Sequence, residues 1–206
     1  MHTHRTHKVN DRIVSISQPH VRPIVRGKAT ADTEFGAKVA ISIVDGYAYV
    51  EKLSWDNFNE GITLIESVEC FRKRYGHYPE AVQADKIYRN AKNLRYCEQY
   101  GIRLSGPRLG RPSANKDIQK EQKRLERQDA SERNAVESKF GEGKRRYGLA
   151  RIMTRLKETA ESVICLQFLV MNLERRLRVL LFYFLRHIFQ FDRALFGPTL
   201  CCFNRN

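Results

Sequence analysis

The sequence lacks the features that mark membrane-spanning and secreted proteins. Its longest uninterrupted apolar run is Val179–Leu185, and seven residues are too few to cross a bilayer. The first residues, from Met1 to His7, are polar and contain no apolar stretch of the kind that a signal peptide needs. The sequence therefore predicts neither a spanning segment nor a secretory leader, and a cytoplasmic location is expected.

The cysteines lack the spacing of metal-binding or disulfide-bonded frameworks. There are five of them, an odd number, and no two stand in a C-x-x-C pair. Zinc ribbons and small disulfide scaffolds depend on such paired spacing. A reducing compartment is the expected environment. The five are Cys70, Cys97, Cys165, Cys201 and Cys202.

Acidic residues are scarce relative to basic ones. The 206 residues include 37 Lys and Arg against 23 Asp and Glu, which gives a net charge of +14. A hydrophobic content of 42% excludes a disordered polycation. Thirteen of the basic residues, against seven acidic ones, fall between positions 101 and 150. This charge predicts a folded protein with a polyanionic partner, either nucleic acid or an anionic membrane surface.

The first half of the chain has the patterns of a mixed α/β domain. Ile13–Ile16 is a short apolar alternation, and Pro19 and Pro23 exclude a long regular element after it. In residues 37–53, large apolar and aromatic residues stand at every second position on both sides of Asp45-Gly46, which predicts a hairpin with a type I′ turn. Helices are predicted over about 59–75 and 90–100, with short strands at 81–84 and 102–104. We expect a mixed sheet with helices on its faces.

The second half is dominated by helical patterns. Residues 106–115 form a loop rich in Gly, Pro and Arg, and charged helices are expected over 116–127 and 129–146. From Arg151 the apolar residues follow three- and four-residue spacing, which predicts a long amphipathic helix. Its aromatic end, between Phe182 and Phe196, is expected to pack or to bind a partner, with a membrane surface as the alternative. No internal repeat is visible.

Asp85 and Glu137 are the candidate chemical groups. Asp85 ends an apolar strand, and the carboxyl end of a strand is where sites form in α/β sheets. The alternative is an Asp that caps the following helix. Glu137 stands four residues after Arg133, a spacing that also predicts an ordinary ion pair on a helix surface.

These residues resemble the motifs of DDE-type insertion-sequence transposases. Ala84–Arg89 is similar to the segment around the family's second acidic residue. Arg133-x3-Glu137-x6-Lys144 resembles the C-terminal signature Tyr-x2-Arg-x3-Glu-x6-Lys. The resemblance covers roughly residues 8–180. Further similar segments start at Asp11, Arg22, Glu34, Leu104 and Leu109.

The resemblance implies a ribonuclease-H-like fold and metal-dependent cleavage and joining of DNA strands. In such a site, carboxylates hold two Mg²⁺ or Mn²⁺ ions, which activate the attacking oxygen and stabilise the leaving oxygen. Asp85 and Glu137 would be metal ligands and catalytic residues. The basic residues of the signature segment would contact DNA, and a homodimer on DNA is expected. These are Arg133, Lys144, Arg145 and Arg146.

Two departures from the family pattern bear on activity. The signature Tyr would fall at position 130, which is Ala130. The first catalytic Asp should lie in the first strand, and Asp11 precedes the apolar alternation instead of lying inside it. The alternatives are a carboxylate upstream of Met1, or Asp32 or Asp45.

The expected organisation is a catalytic domain over 8–150 and a helical extension over 151–197, with tails at 1–7 and 198–206. No segment corresponds to the family's N-terminal DNA-recognition domain, so the chain resembles the C-terminal catalytic portion of a transposase. The rival hypotheses are a catalytically inactive DNA-binding remnant and a membrane-surface protein.

Overall fold

The computed structural model describes residues 12–28, 31–106 and 116–195. The chain begins with an antiparallel pair, β1 (Pro23–Lys28) and β2 (Ala31–Phe35). The sequence patterns did not predict this pair. Pro23 is compatible with this strand pair because proline, which has no main-chain N–H group, is tolerated at the first residue of an edge strand.

The apolar alternation at Ile13–Ile16 predicts a short strand, and this prediction is wrong. These residues adopt no regular strand, and the Ile16 side chain is 98% exposed. Val14 packs in a small cluster around Trp55 and Ala160. Gln18 holds the segment in place by donating hydrogen bonds from its amide nitrogen to the carbonyls of Ile152 and Thr154, both at 2.8 Å. Tertiary contacts thus override the short alternation.

The predicted hairpin is confirmed. It consists of β3 (Lys38–Val44) and β4 (Tyr47–Ser54), joined by Asp45 at φ 51° and Gly46 at φ 77°. Both turn residues have positive φ, as a type I′ turn requires. Trp55 follows the hairpin and is buried, and its indole N–H donates to Glu161 Oε1 at 2.9 Å.

Two helices alternate with a short parallel pair, much as the sequence predicts. A 3₁₀ turn at Glu60–Ile62 leads into α1 (Leu64–Tyr75), which ends at Gly76 in a left-handed conformation. The parallel strands are β5 (Ala81–Val82) and β6 (Arg103–Leu104). Between them lie a 3₁₀ turn at Lys86–Tyr88 and α2 (Ala91–Gln99), whose N-cap Asn90 accepts from the Asn93 N–H.

The remaining chain forms two long helices. The two charged helices expected over 116–127 and 129–146 are one continuous helix, α3 (Lys116–Arg146). The amphipathic helix expected from Arg151 begins later, as α4 (Lys157–Leu195). In its buried stripe, Ile164, Phe168 and Met171 pack with Ala48 of the hairpin in the main core, and Ala160 packs with Val21 and Trp55. This stripe consists of Ala160, Ile164, Phe168 and Met171. No described helix is long and apolar enough to cross a membrane.

The mixed α/β class is confirmed, whereas the ribonuclease-H-like sheet is not. The described strands form three separate two-stranded sheets, β1–β2, β3–β4 and β5–β6. The outer edges of two of these pairs are closed by side chains. Asn172 of α4 donates to the Ala48 carbonyl at 2.7 Å and accepts from the Ala48 N–H at 2.8 Å. Arg89 donates to the Leu104 and Ser105 carbonyls at 3.0 and 2.7 Å.

Candidate active-site cleft

A large cleft of about 2610 Å³ lies where β3, β5, α1 and α3 approach one another. Residues of β3 and β5 line it. Apolar residues of α1 and α3 line it further, among them Val68, Phe71 and Phe140. The cleft also contains the two carboxylates singled out from the sequence, Asp85 and Glu137. The fold therefore brings together two residues that are 52 positions apart in the chain.

Asp85 follows β5 and has a local structural role. Its Oδ1 accepts the Lys86 N–H at 2.7 Å, so the side chain caps the 3₁₀ turn at Lys86–Tyr88. The helix-cap interpretation of this residue is thus realised in the structure. The carboxylate is nevertheless 70% exposed and lines the cleft, so the cap leaves it accessible to a ligand.

Arg133 is paired with Asp85 and not with Glu137. Its Nη1 lies 3.9 Å from Asp85 Oδ1, while the i, i+4 ion pair with Glu137 is not formed. Both α3 residues line the cleft and are exposed. The long arm of Arg133 reaches across from α3 to the end of β5, which leaves the Glu137 carboxylate open toward the cleft. Sequence spacing could not reveal this choice of partner.

Only part of the basic signature segment faces the cleft. Lys144 lines the cleft, whereas the two arginines that follow it on α3 do not. Arg146 points to acidic partners instead, with its guanidinium 3.7 Å from Glu142 and 3.3 Å from Glu174. Arg145 is exposed and is not among the lining residues. Arg133 and Lys144 are therefore the cations best placed to meet a phosphate in the cleft.

Arg103, which the charge pattern groups with these cations, is committed to another contact. It forms a two-pronged ion pair with Asp129 of α3, at 2.7 and 2.8 Å, and Asp129 is buried. This hydrogen bond raises the pKa of the Arg103 guanidinium. The pair joins β6 to α3 and so fixes the helix that carries Glu137. Arg108 and Arg111 lie outside the described residues.

The candidates for a first catalytic Asp lie in different parts of the chain. Asp11 lies outside the described residues. Asp32 belongs to β2, and Asp45 occupies the hairpin turn with positive φ and lines the cleft that contains Asp85 and Glu137. Within the described ranges, no group of three His, Cys, Asp or Glu side chains could hold a metal ion.

The chemistry of the donors present fits a hard divalent cation. Asp85 and Glu137 offer carboxylate oxygens, which Mg²⁺ prefers, and Mg²⁺ keeps several waters and needs few protein ligands. Both carboxylates are exposed and line the same cleft. Two carboxylates alone do not make the three-carboxylate set that the family resemblance implies.

The sequence patterns did not identify two residues that shape the cleft. Asn172 binds the main-chain groups of Ala48 on the outer edge of β4, and Arg89 binds the carbonyls of Leu104 and Ser105 at the end of β6. Arg89 stands inside the motif segment Ala84–Arg89, but its role as a main-chain clamp has no sequence signal. Asn172 interrupts the apolar pattern of α4, and a polar residue in such a position is the one hint available.

Comparisons with known proteins agree with the motif resemblance. Residues 82–174 match the family described as "Transposase DDE domain". This segment contains Asp85, Arg133, Glu137 and Lys144. No curated protein and no solved structure matches the chain. The family match thus confirms the resemblance to DDE-type transposases over residues 82–174.

Proposed function

We propose that the chain is the catalytic portion of an insertion-sequence transposase, which cleaves DNA strands and transfers them in a reaction that needs a divalent metal. The observation that carries this proposal is the cleft, because it gathers Asp85, Glu137, Arg133 and Lys144 from two distant parts of the fold. All four belong to the matched transposase segment.

The acidic and the basic side chains of the cleft have different roles in this proposal. Asp85 and Glu137 would hold Mg²⁺ or Mn²⁺, which when bound activates the attacking oxygen and stabilises the leaving oxygen of the phosphodiester. Arg133 and Lys144 would contact DNA phosphates and position the scissile strand between the carboxylates. The Arg133–Asp85 pair at 3.9 Å keeps Asp85 oriented toward the cleft before DNA binds. A third carboxylate would come from Asp11, with Asp32 and Asp45 as the alternatives.

Nicking of supercoiled plasmid tests this assignment. We expect the chain to nick DNA with Mg²⁺ or Mn²⁺, and Asp85→Asn and Glu137→Gln each to abolish nicking. Asp56→Asn and Glu98→Gln, two exposed carboxylates outside the cleft, are the matched controls and should leave it intact. Nicking that survives both cleft substitutions would show that the chemistry is elsewhere.

A catalytically inactive DNA-binding remnant is the second candidate. The observation that favours it is the lack of a three-carboxylate group within the described part of the chain. It predicts salt-sensitive DNA binding without nicking. In both cases Lys144→Ala should weaken binding and lower the slope of log affinity against log salt by about 1. Lys92→Ala, an exposed lysine of α2, is the matched control.

A homodimer is also proposed, through the second apolar stripe of α4. This stripe is distinct from the buried one, and its spacings of four and three residues match a coiled-coil seam. Its side chains are between 49% and 65% exposed: Leu166, Val170, Leu173, Leu177, Leu180 and Phe184. A seam of this kind is complementary to an identical helix, so a second copy of the chain is the expected partner.

Sedimentation velocity tests the dimer. The native chain should sediment as a dimer, and the double variant Leu173→Glu with Leu177→Glu should be a monomer with unchanged helix content. Met153→Glu alters an equally exposed side chain outside the stripe, and it should remain dimeric. A native chain that is monomeric at micromolar concentration would contradict the proposal.

A further inference from the structure

The main-chain ladder between β5 and β6 does not continue to Ala84. The Ser105 N–H donates to the Val82 carbonyl at 2.9 Å. In a regular parallel ladder, the next bond would run from the Ala84 N–H to the Ser105 carbonyl. That carbonyl instead accepts from the Arg89 guanidinium at 2.7 Å. The bond after it would need a main-chain N–H group at residue 107, which is a proline and has none.

The Ser105 hydroxyl makes both of these bonds instead. Its Oγ accepts from the Ala84 N–H at 2.9 Å and donates to the Ala84 carbonyl at 3.2 Å. A side chain thus replaces a strand at the residue that immediately precedes Asp85. Ser105 is 4% exposed and does not line the cleft. The hydroxyl therefore holds the main chain from which the Asp85 carboxylate projects, without facing the cleft itself.

Arg103, two residues earlier on β6, is connected to the helix that carries Glu137. Its guanidinium donates to both carboxylate oxygens of Asp129, at 2.7 and 2.8 Å. Two parallel bonds of this kind fix an orientation as well as a distance. Asp129 is buried in α3, and Glu137 follows it by about 12 Å along the helix axis. One short strand thus contacts both elements that carry the cleft carboxylates.

We propose that β6 sets the separation of the two cleft carboxylates through two positioning residues. Ser105 is the positioning residue of Asp85, and Arg103 is the positioning residue of Glu137. Neither lines the cleft, so each acts through the element that it holds. The proposal rests on the proposed function, because carboxylates that share divalent ions must stand at a fixed separation. Mg²⁺ demands near-ideal octahedral geometry, so a small displacement of either carboxylate lowers its affinity.

The other described contacts of Asp85 hold its side chain and not the strand before it. The ion pair with Arg133 spans 3.9 Å between exposed groups, and exposed pairs of this kind are weak. The bond from the Lys86 N–H to Asp85 Oδ1, at 2.7 Å, is local and moves with the segment. The two bonds of buried Ser105 are therefore the firmer constraint on where this segment lies.

Ser105→Ala tests the proposal without a metal, because it removes the hydroxyl and keeps the main chain of β6. Amide hydrogen exchange at Lys86 reports on Asp85, whose Oδ1 accepts the Lys86 N–H. We expect this amide to exchange on the order of tenfold faster in Ser105→Ala. Thr63→Val is the matched control and should keep the native rate. Thr63 is 3% exposed, its hydroxyl donates to the Glu60 carbonyl at 2.9 Å, and it does not line the cleft.

Mn²⁺ binding to the full chain, followed by the electron paramagnetic resonance signal of the free ion, tests the consequence for the site. The native chain should bind Mn²⁺, and Asp85→Asn should abolish this binding. Ser105→Ala should weaken it by about tenfold, the lower end of what loss of an outer partner costs. Arg103→Lys keeps the charge but not the two parallel bonds, and it should weaken Mn²⁺ binding by about threefold to tenfold. Thr63→Val should bind Mn²⁺ as the native chain does.

An unchanged Lys86 amide in folded Ser105→Ala protein would overturn the proposal, and so would an equal acceleration in Thr63→Val. Unchanged Mn²⁺ affinity in Ser105→Ala, at a site that does depend on Asp85, would overturn it too. If Ser105→Ala does not keep the native thermal transition, Ser105→Cys takes its place, since a thiol is a weaker partner of similar shape.

Failure of the proposed function gives a different result. The native chain would then bind no Mn²⁺, or its binding would survive Asp85→Asn. The exchange of the Lys86 amide in Ser105→Ala needs no metal, so in that case it decides alone whether Ser105 positions Asp85.

Discussion

The outer and inner edges of the two strand pairs differ in how their peptide groups are satisfied. On the outer edges, Asn172 binds both main-chain groups of Ala48, and Arg89 binds the carbonyls of Leu104 and Ser105. On the inner edges, Ile43, Ala81 and Gln83 have no comparable side-chain partner among the described residues. Within the described ranges, side chains thus bind the main chain of β4 and β6, and no such contact is made by Ile43, Ala81 or Gln83.

Removal of Asn172 should have the largest effect on stability. Asn172→Leu leaves the N–H and carbonyl of buried Ala48 without partners, and each unsatisfied buried group costs about 1–3 kcal/mol. We expect the free energy of unfolding in urea to fall by about 2–4 kcal/mol. Asn134→Leu, on the exposed surface of α3, is the control and should change it by less than about 0.5 kcal/mol. Equal effects would mean that edge closure by Asn172 contributes nothing.

Removal of the second clamp should have a smaller effect. Arg89→Leu eliminates the charge-assisted bonds to the Leu104 and Ser105 carbonyls, and hydrogen bonds to charged groups contribute about 1.5–3 kcal/mol. Because one Arg89 nitrogen serves both carbonyls, we expect a loss near the lower end, measured by urea unfolding. Arg95→Leu on exposed α2 provides the comparison. A stability equal to that of the native chain would show that water replaces the clamp fully.

Amide hydrogen exchange distinguishes the two edges without a mutation. The Ala48 N–H is bonded to Asn172 Oδ1, whereas the pairing of Ile43 with Ala48 turns the Ile43 N–H away from β4. Both belong to one hairpin, so they share its global opening. We expect Ala48 to exchange on the order of tenfold more slowly than Ile43. Equal exchange rates for Ala48 and Ile43 would contradict this difference between the two edges.

The smallest expected effect concerns the contact of β4 with α1. Burial, together with the hydrogen bond to the Tyr49 hydroxyl at 2.8 Å, raises the pKa of Tyr75 to about 12 from an ordinary 10.0. Because folding favours the neutral phenol, this group stabilises the fold below pH 10 and loses that contribution as the pH rises toward 12. Ultraviolet absorbance is measured against pH for the native chain and for Tyr75→Phe. The difference between the two curves should show a transition near pH 12.

Tyr49→Phe is the control for this titration. It removes the hydrogen-bond partner and leaves the Tyr75 phenol in place, so the difference transition should move toward lower pH. A Tyr75 transition at 10 in the native chain would mean that the contact between β4 and α1 is not formed in solution.

Much of the local structure followed from the sequence. Asp45-Gly46 specified the hairpin because two consecutive residues with positive φ leave few alternatives to a type I′ turn. Gly76 specified the end of α1 for the same steric reason. The motif spacing around Asp85 and Glu137 also predicted the transposase family that the comparison with residues 82–174 supports. These signals are local or depend on residue identity, so a single sequence contains them.

The partners of the charged side chains required the tertiary structure. The four-residue spacing predicted an ion pair between Arg133 and Glu137, but Arg133 lies near Asp85 instead. Arg103 forms an ion pair with Asp129. The pair β1–β2 and the irregular segment at Ile13–Ile16 were also decided by packing. Charge and periodicity say which residues are able to interact. Which ones meet depends on how α3 and α4 lie against the strands, and that arrangement is set by a core assembled from distant segments.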